Sequence, residues 1–524
     1  MQTVSLADFP GKDAALRLGE ATSYLSTLHE PVQFMIPPGL YDITTAHARE
    51  EQRRVMDGVY GQNPQKVMFS PTYQYSRGLY LSGLTDCHVI AEGAFFQVDG
   101  FMEPVAIRNC KNLTFSGLTI DHKRKPYSRG RIIESQGKAW LLEMDKETPM
   151  GEHTPKLLRS LVIDPAEDTI LHTGVKHIEY IDDYHFKAAF TDNTLLRQGL
   201  MVYIWHTYHG RPAILLENCE NVTLSGVTIH SQPGMGIVGN RCENVHIKGL
   251  SVVPSPGHHV STNTDATHFT SIKGDLIIEN SRFEGCGDDC TNVHGYFQAI
   301  IERVSDTVCV MQEKTPDGTH AQSLDYPDVG DLLELWEMHT LSKVASYQVM
   351  ARTPMQTENR CRVKLDHALP ESTEGLALID VSRLPRFVFR NCHTRRHFAR
   401  GVLVQTRYAV IEHNVFEEAL GPAIAPMAEA FWSEGVCPQN ISIRHNTVRN
   451  CCAWWPISCG IAAFYKAENT KKQNLANITI ENNEILMPAA RHAVYAAGVD
   501  GLRIRNNTCS CREKAVVTEN CRIE

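Results

Sequence analysis

A repeat constrains this chain more than any other feature. Asn112-Leu-Thr-Phe-Ser-Gly-Leu-Thr-Ile120 is matched almost residue for residue by Asn221-Val-Thr-Leu-Ser-Gly-Val-Thr-Ile229, and Asn244-Val-His-Ile-Lys-Gly-Leu-Ser-Val252 begins 23 residues later. A second series, Asn391, Asn414, Asn446, Asn483 and Asn507, has steps of 23, 32, 37 and 24, the longer ones reading as the same unit with loop insertions. Such units hold two or three very short alternating strands. Strands that short cannot bury an apolar face as isolated hairpins, but they can by stacking coil on coil. The repeat predicts an all-β chain, a right-handed parallel β-helix. Each repeated Asn is expected in the left-handed turn conformation that Asn tolerates, its side chain bonding along the axis as scaffold.

The ends and interruptions fit a solenoid. Residues 13–25 have helical apolar spacing at Leu16, Leu18 and Leu25, suited to capping the first coil, and 34–41 read as a strand with a Pro-Gly turn. Residues 124–210 and 298–381 break the repeat with runs such as 138–144 and 332–336 and a turn at Thr315-Pro-Asp-Gly318. We read them as two inserted small β-barrel-like domains walling one side of a discontinuous β-helix made of 1–123, 211–297 and 382–524.

A content of 42% hydrophobic and 21% charged residues excludes disorder, and a formal charge of −9 argues against a nucleic-acid or anionic-lipid partner. No apolar run is long enough for a membrane span. Residues 1–9 lack signal-peptide character, so the expected location is secreted or periplasmic with a leader outside this chain, a cytoplasmic one staying open. The sixteen Cys recur in Asn-Cys pairs without zinc spacing and read as small buried filler.

Chemistry is expected at Ser261-Thr-Asn-Thr-Asp-Ala-Thr-His268 and Glu284-Gly-Cys-Gly-Asp-Asp-Cys-Thr-Asn-Val-His-Gly295. Asp265 precedes Asp288 by 23 residues and Asp289 by 24, one coil, which places three carboxylates on one patch. Clustered carboxylates repel, raising the pKa of one while a neighbour stays ionised, and glycosidic cleavage needs such an acid and base.

At these residues, Asn263-Thr-Asp265 and Gly287-Asp-Asp289 look like the motif pair of the polygalacturonase-type hydrolases of glycoside hydrolase family 28. That family's Gly-His-Gly and Arg-Ile-Lys are missing, and Arg503-Ile-Arg505 lies too far downstream to replace the latter. The chain more closely resembles glycoside hydrolase family 110, the α-1,3-galactosidases, which have a β-helix, two inserted β-barrels and an Asp, Asp-Asp set at this spacing. The resemblance implies that Asp288 is the general acid and that Asp265 with Asp289 holds and activates the water. It also implies inversion and no metal or other cofactor. The expected partner is a glycan ending in α-1,3-linked galactose, such as a blood-group-B-like structure, cut in exo fashion. A homodimer is an open assembly.

Further candidates surround the motif. Trp205 is a candidate sugar platform, with His206 and Arg211 donating to hydroxyls, and Trp432 and Glu434 lie on a loop of a long coil. His294 is a candidate contact to substrate or Asp289, whereas His268 and Asn292 read equally well as satisfying backbone groups. Two alternatives stay open. A polygalacturonase-like enzyme needs basic residues at the cluster, where 261–295 offers Lys273 and Arg282. A non-catalytic carbohydrate-binding β-helix would tolerate loss of the acid.

Overall fold

The repeated units stack in register. Val222 pairs with Leu113 in the coil before and Val245 in the coil after, and Leu224 pairs with Phe115 and Ile247; all six are buried. On another wall Ile214, Ile237, Thr267, Thr291, Val402 and Ile424 form one continuous parallel ladder. These ladders build a 22-stranded and a 12-stranded sheet around one core, a parallel β-helix. The structure is a computed structural model describing residues 1–524 apart from 62, 71–72, 155–158, 172, 314–324, 356–358, 453–457 and 467–471. The Thr315–Gly318 turn lies outside the described residues.

One residue type at one inward position gives one interior column. Phe283, Phe389 and Phe416 stack along the axis with ring centroids 6.0 and 6.1 Å apart. Each such burial is worth about 1.5–3 kcal/mol.

The Asn residues form two kinds of ladder where the repeat suggested one. Asn112, Asn221 and Asn244 take left-handed φ of 53°, 54° and 54°. On the exposed edge, Asn244 Nδ2 donates to Asn221 Oδ1 (3.0 Å) and Asn221 Nδ2 to Asn112 Oδ1 (2.9 Å). In the second series only Asn391 is left-handed; after it the bend moves to the preceding residue, as at His413 and His445. Asn414, Asn446 and Asn483 consequently turn inward and are buried. Asn446 Nδ2 donates to Ile411 O (2.8 Å) and Asn483 Oδ1 (3.0 Å), and its own Oδ1 accepts Asn414 N–H at 3.1 Å. Where Asn is absent from a buried turn, Cys stands in: Cys392 N–H donates to Asn414 Oδ1 at 2.9 Å. All sixteen thiols are free.

At the first coil a helix spans Ala14–Leu25, capped by Asp13, whose carboxylate accepts Leu16 N–H. Its buried face is Leu18, Ala21 and Leu25, while Leu16 is 52% exposed; two residues before Leu18, it lies on the opposite side of the helix. Pro37 and Pro38 split the next segment into strands Val32–Met35 and Gly39–Thr44.

Two antiparallel units interrupt the coils. Seven strands from Tyr127–Gln136 to Met201–Trp205 form one sheet with its own core around Phe186. Six strands from Gln298–Arg303 to Leu376–Asp380 close into a barrel around Leu335 and Val363. Buried arginines of the coils hold both. Arg396 reaches Asp168 of the first unit at 2.9 Å, and Arg241 reaches Asp325 beside the barrel at 2.8 Å.

Asn446→Ala would strand buried acceptors and donors on two neighbouring coils and is expected to cost about 2–3 kcal/mol. Asn221→Gly, on the solvated ladder and at a left-handed φ that glycine adopts freely, is expected to cost under about 1 kcal/mol. Urea unfolding of both variants measures the difference; equal losses would contradict the buried ladder's importance.

Candidate active site

The ladder Thr267, Thr291, Val402 stacks the residues two places upstream of each: Asp265, Asp289 and Arg400. Ala266 N–H donates to Asp289 O (3.1 Å) and Cys290 N–H to Arg400 O (3.0 Å). Side chains 24 and 111 residues apart in sequence become neighbours one strand spacing, about 4.8 Å, apart. Gly287 permits the close approach of the coils. A Cβ there would fall 2.2 Å from Asn263 O and 3.0 Å from Trp205 Nε1. Asn263 faces the other way, donating from Nδ2 to Pro126 O (3.1 Å) and Thr207 O (3.0 Å), and so ties both ends of the first inserted unit to the motif turn.

One oxygen from each of Asp265, Asp288 and Asp289 lies within 4.8 Å of the others. Asp265 Oδ1 accepts Asp289 N–H (3.1 Å), and Asp265 Oδ2 meets His268 Nδ1 at 2.6 Å. Asp289 Oδ1 accepts Arg400 N–H (2.7 Å), and its Oδ2 lies 3.0 Å from Arg400 Nη2, which also reaches Glu429 at 3.0 Å. Such a carboxylate spacing would admit a divalent cation, and the guanidinium of Arg400 sets one positive charge against Asp289. Asp288 is the outermost, its side chain 32% exposed against 7% for Asp265 and 3% for Asp289. Arg159 of the first inserted unit donates to Asp288 Oδ2 at 3.4 Å while stacking over Phe398 at 4.3 Å.

Burial pushes the Asp265 carboxyl well above the ordinary range, with the Asp288 and Glu434 charges adding to it and Arg400 opposing. Burial does the same to Asp289 against the nearby Arg400. The Arg400 guanidinium is buried yet kept charged by Asp289 and Glu429.

Above the carboxylates is a cavity of about 250 Å³, lined also by His209, Met235, His268, Asn292, Trp432 and Glu434. Trp432 and Glu434 therefore stand at the cavity, and the Glu434 carboxylate accepts Asn292 Nδ2 (3.1 Å) and Gln405 Nε2 (2.8 Å). His294 does not line it: fully buried, it sits behind His268, their Nε2 atoms 2.8 Å apart. Trp205, His206 and Arg211 are also away from the cavity. Trp205 packs on Phe398, centroids 5.5 Å apart, beneath the Gly287 turn. His206 Nε2 meets Ser128 Oγ at 2.8 Å, and Arg211 Nε donates to Glu103 Oε1 at 2.8 Å. The strand Met201–Trp205 is buried along its whole length, so its indole supports the Gly287–Asp289 turn and is closed to a sugar. From the same segment His209 reaches the cavity. Arg159, Arg400, Glu429 and His209 escaped sequence reading. Arg400 had a signal: Arg400-Gly-Val402 stands to its strand as Asp289-Cys-Thr291 does to its own.

A parallel β-helix carries a triple carboxylate beside a cavity of about 250 Å³, and its relatives give the class: this chain is a glycoside hydrolase. The profile of glycosyl hydrolases family 28 matches residues 209–311. The chain is 23% identical to alpha-1,3-galactosidase B of Parabacteroides distasonis, over 91% of this chain and 82% of that one. It is 24% identical to alpha-1,3-galactosidase A of Bacteroides fragilis, over 90% and 81% respectively. Among solved structures, an exopolygalacturonase from Thermotoga maritima aligns over 100% of this chain and 92% of its own, with 12% identity and a TM-score of 0.40.

The raised Asp265 pKa has a stability consequence. Unfolded Asp ionises near about 3.9, whereas the folded group keeps its proton to higher pH, so the folded state binds more protons and stability falls as pH rises through that window. Asp265→Asn removes this penalty while still bonding His268 and Asp289 N–H. Its melting temperature is expected to exceed wild type by a few degrees at pH 8 and by less at pH 4.5; a pH-independent difference in thermal melts would contradict the assignment.

Proposed function

We propose that this glycoside hydrolase releases terminal α-1,3-linked galactose, as from blood-group-B-like glycans, in exo fashion and with inversion. The observation that carries the proposal is the carboxylate cluster at a cavity of about 250 Å³. That volume lies below the about 300–1,000 Å³ of most ligand clefts, room for one terminal sugar and not for a polymer threaded through. The alpha-1,3-galactosidase names of relatives covering most of the chain support the linkage. The lining also supports a neutral sugar. It holds five carboxylates, from Asp265, Asp288, Asp289, Glu429 and Glu434, and among the described residues one guanidinium, Arg400, already paired twice. A uronate would meet net repulsion there, which argues against polygalacturonate.

In this reading Asp288, outermost and nearest the mouth, protonates the departing glycosidic oxygen. The deep pair Asp265 and Asp289, joined through Asp289 N–H, holds the attacking water and takes its proton. Arg400 and Glu429 fix Asp289 in place. The closest carboxylate oxygens are nearer the about 5–5.5 Å of retaining pairs than the about 6.5–9.5 Å of inverting ones. Inversion then depends on a water seated between the deep pair. The anomer first released from α-1,3-galactobiose, followed by NMR, decides the point: β-galactose is expected, and α-galactose would show a covalent, retaining route.

Asp288→Asn is expected to lower kcat by about 10²–10⁴-fold while KM changes little. Substrates with an activated aryl leaving group, which needs no proton, should recover much of that loss. Equal losses on both substrates would remove the acid role from Asp288, and full activity would remove Asp288 from the catalytic machinery.

A further inference from the structure

Asp265, His268 and His294 form a continuous chain into the wall of the site. Asp265 Oδ2 is 2.6 Å from His268 Nδ1, His268 Nε2 is 2.8 Å from His294 Nε2, and His294 Nδ1 is 3.0 Å from Gly295 O. The last contact assigns the protons of the rest. A carbonyl only accepts, so His294 Nδ1 carries a hydrogen, and a neutral His294 has a bare Nε2. His268 must then donate from its own Nε2, which leaves its Nδ1 bare against Asp265. With an ionised Asp265 and two neutral imidazoles, one of the two contacts at 2.6 and 2.8 Å would set lone pair against lone pair. The contacts are satisfied together only if the chain holds one more proton. Beside the His268–His294 contact, Glu434 Oε1 lies 3.8 Å from His294 Nε2, and Glu434 also lines the cavity.

We propose that Asp265, His268 and His294 are a proton relay that holds this additional proton and moves it during turnover. The inference rests on the functional reading above. As Asp265 takes a proton from the attacking water on one oxygen, the O–H bond on its other oxygen breaks and an N–H bond forms at His268 Nδ1. The N–H bond at His268 Nε2 breaks in turn, and one forms at His294 Nε2. Asp265 ends neutral as it began, and the charge of the water's proton appears as an imidazolium facing Glu434. The sequence reverses when product leaves.

The surroundings favour this resting state. Asp288, Asp289, Glu434 and Arg400 face Asp265; Glu434 and Asp288 face His268; Glu434, Asp325 and Tyr296 face His294. Burial lowers both imidazole pKa values and raises that of Asp265, so the proton rests on the carboxyl. His268 and His294 are thus positioning residues acting through Asp265.

Neutron diffraction from deuterium-exchanged wild-type crystals at neutral pH tests the proton inventory independently of activity. Deuterium is expected in all three contacts; a contact at 2.6 or 2.8 Å without it would overturn the relay. Kinetics test the transfer. His268→Asn keeps an acceptor, its Oδ1, for the Asp265 carboxyl proton but cuts the path to His294. It should lower kcat on the order of 10–100-fold with KM within about threefold, and should lose the basic limb of the pH profile that release of the chain's proton sets. Adding His294→Gln should cost nothing more, since the chain acts as a unit. An unchanged pH profile or additive losses would reduce both His to structural roles and refute the transfer. Absence of galactoside cleavage with all three deuterons in place would instead refute the functional reading and leave the proton inventory standing.

Discussion

In-register parallel stacking is the constraint on which the rest of this molecule depends. Every coil repeats the backbone path of the one before at about 4.8 Å, so whatever side chain occupies a position is set directly over its counterpart. Inward positions become columns such as the Phe283, Phe389, Phe416 stack. A buried turn position becomes the ladder of Asn414, Asn446 and Asn483, where each amide satisfies a polar group that the core would otherwise leave bare. The position before one wall becomes Asp265, Asp289 and Arg400. Scaffold and site are products of the same translation.

Stacking also creates an electrostatic problem at the site. Two buried carboxylates one coil apart repel, and burial itself disfavours their charge. The fold answers with Arg400 on the following coil and with a chain of imidazoles behind Asp265. Burial still holds the Asp265 carboxyl well above the ordinary carboxylate range, with Arg400 opposing. The inserted units contribute at the rim: Arg159 comes from the first to Asp288, and Asn263 of the motif holds both ends of that unit.

Much of this was legible in the sequence, because a repeat is a local pattern with a single efficient way to bury its apolar faces. The Asn112, Asn221 and Asn244 units announced the coil, and the 24-residue step from Asp265 to Asp289 announced their contact. The aromatic cluster at Tyr203–Arg211 misled, since a strand pattern does not reveal which of its faces is covered. Trp205 points beneath the Gly287–Asp289 turn, while His209, four residues on, reaches the cavity. Leu16 failed for a simpler reason: two residues before Leu18 on a helix, it falls on the opposite face and is exposed.

The sequence by itself determined the solenoid, its period and the meeting of three carboxylates, since each follows from counting residues around one coil. Only the tertiary structure decided the company those carboxylates keep. Arg400 lies 111 residues beyond Asp289, with a barrel between them, and Arg159, His294 and Glu434 arrive from separate elements. Charge, burial and the path of a proton depend on distances of a few ångströms between chain segments, and counting along one strand cannot supply these.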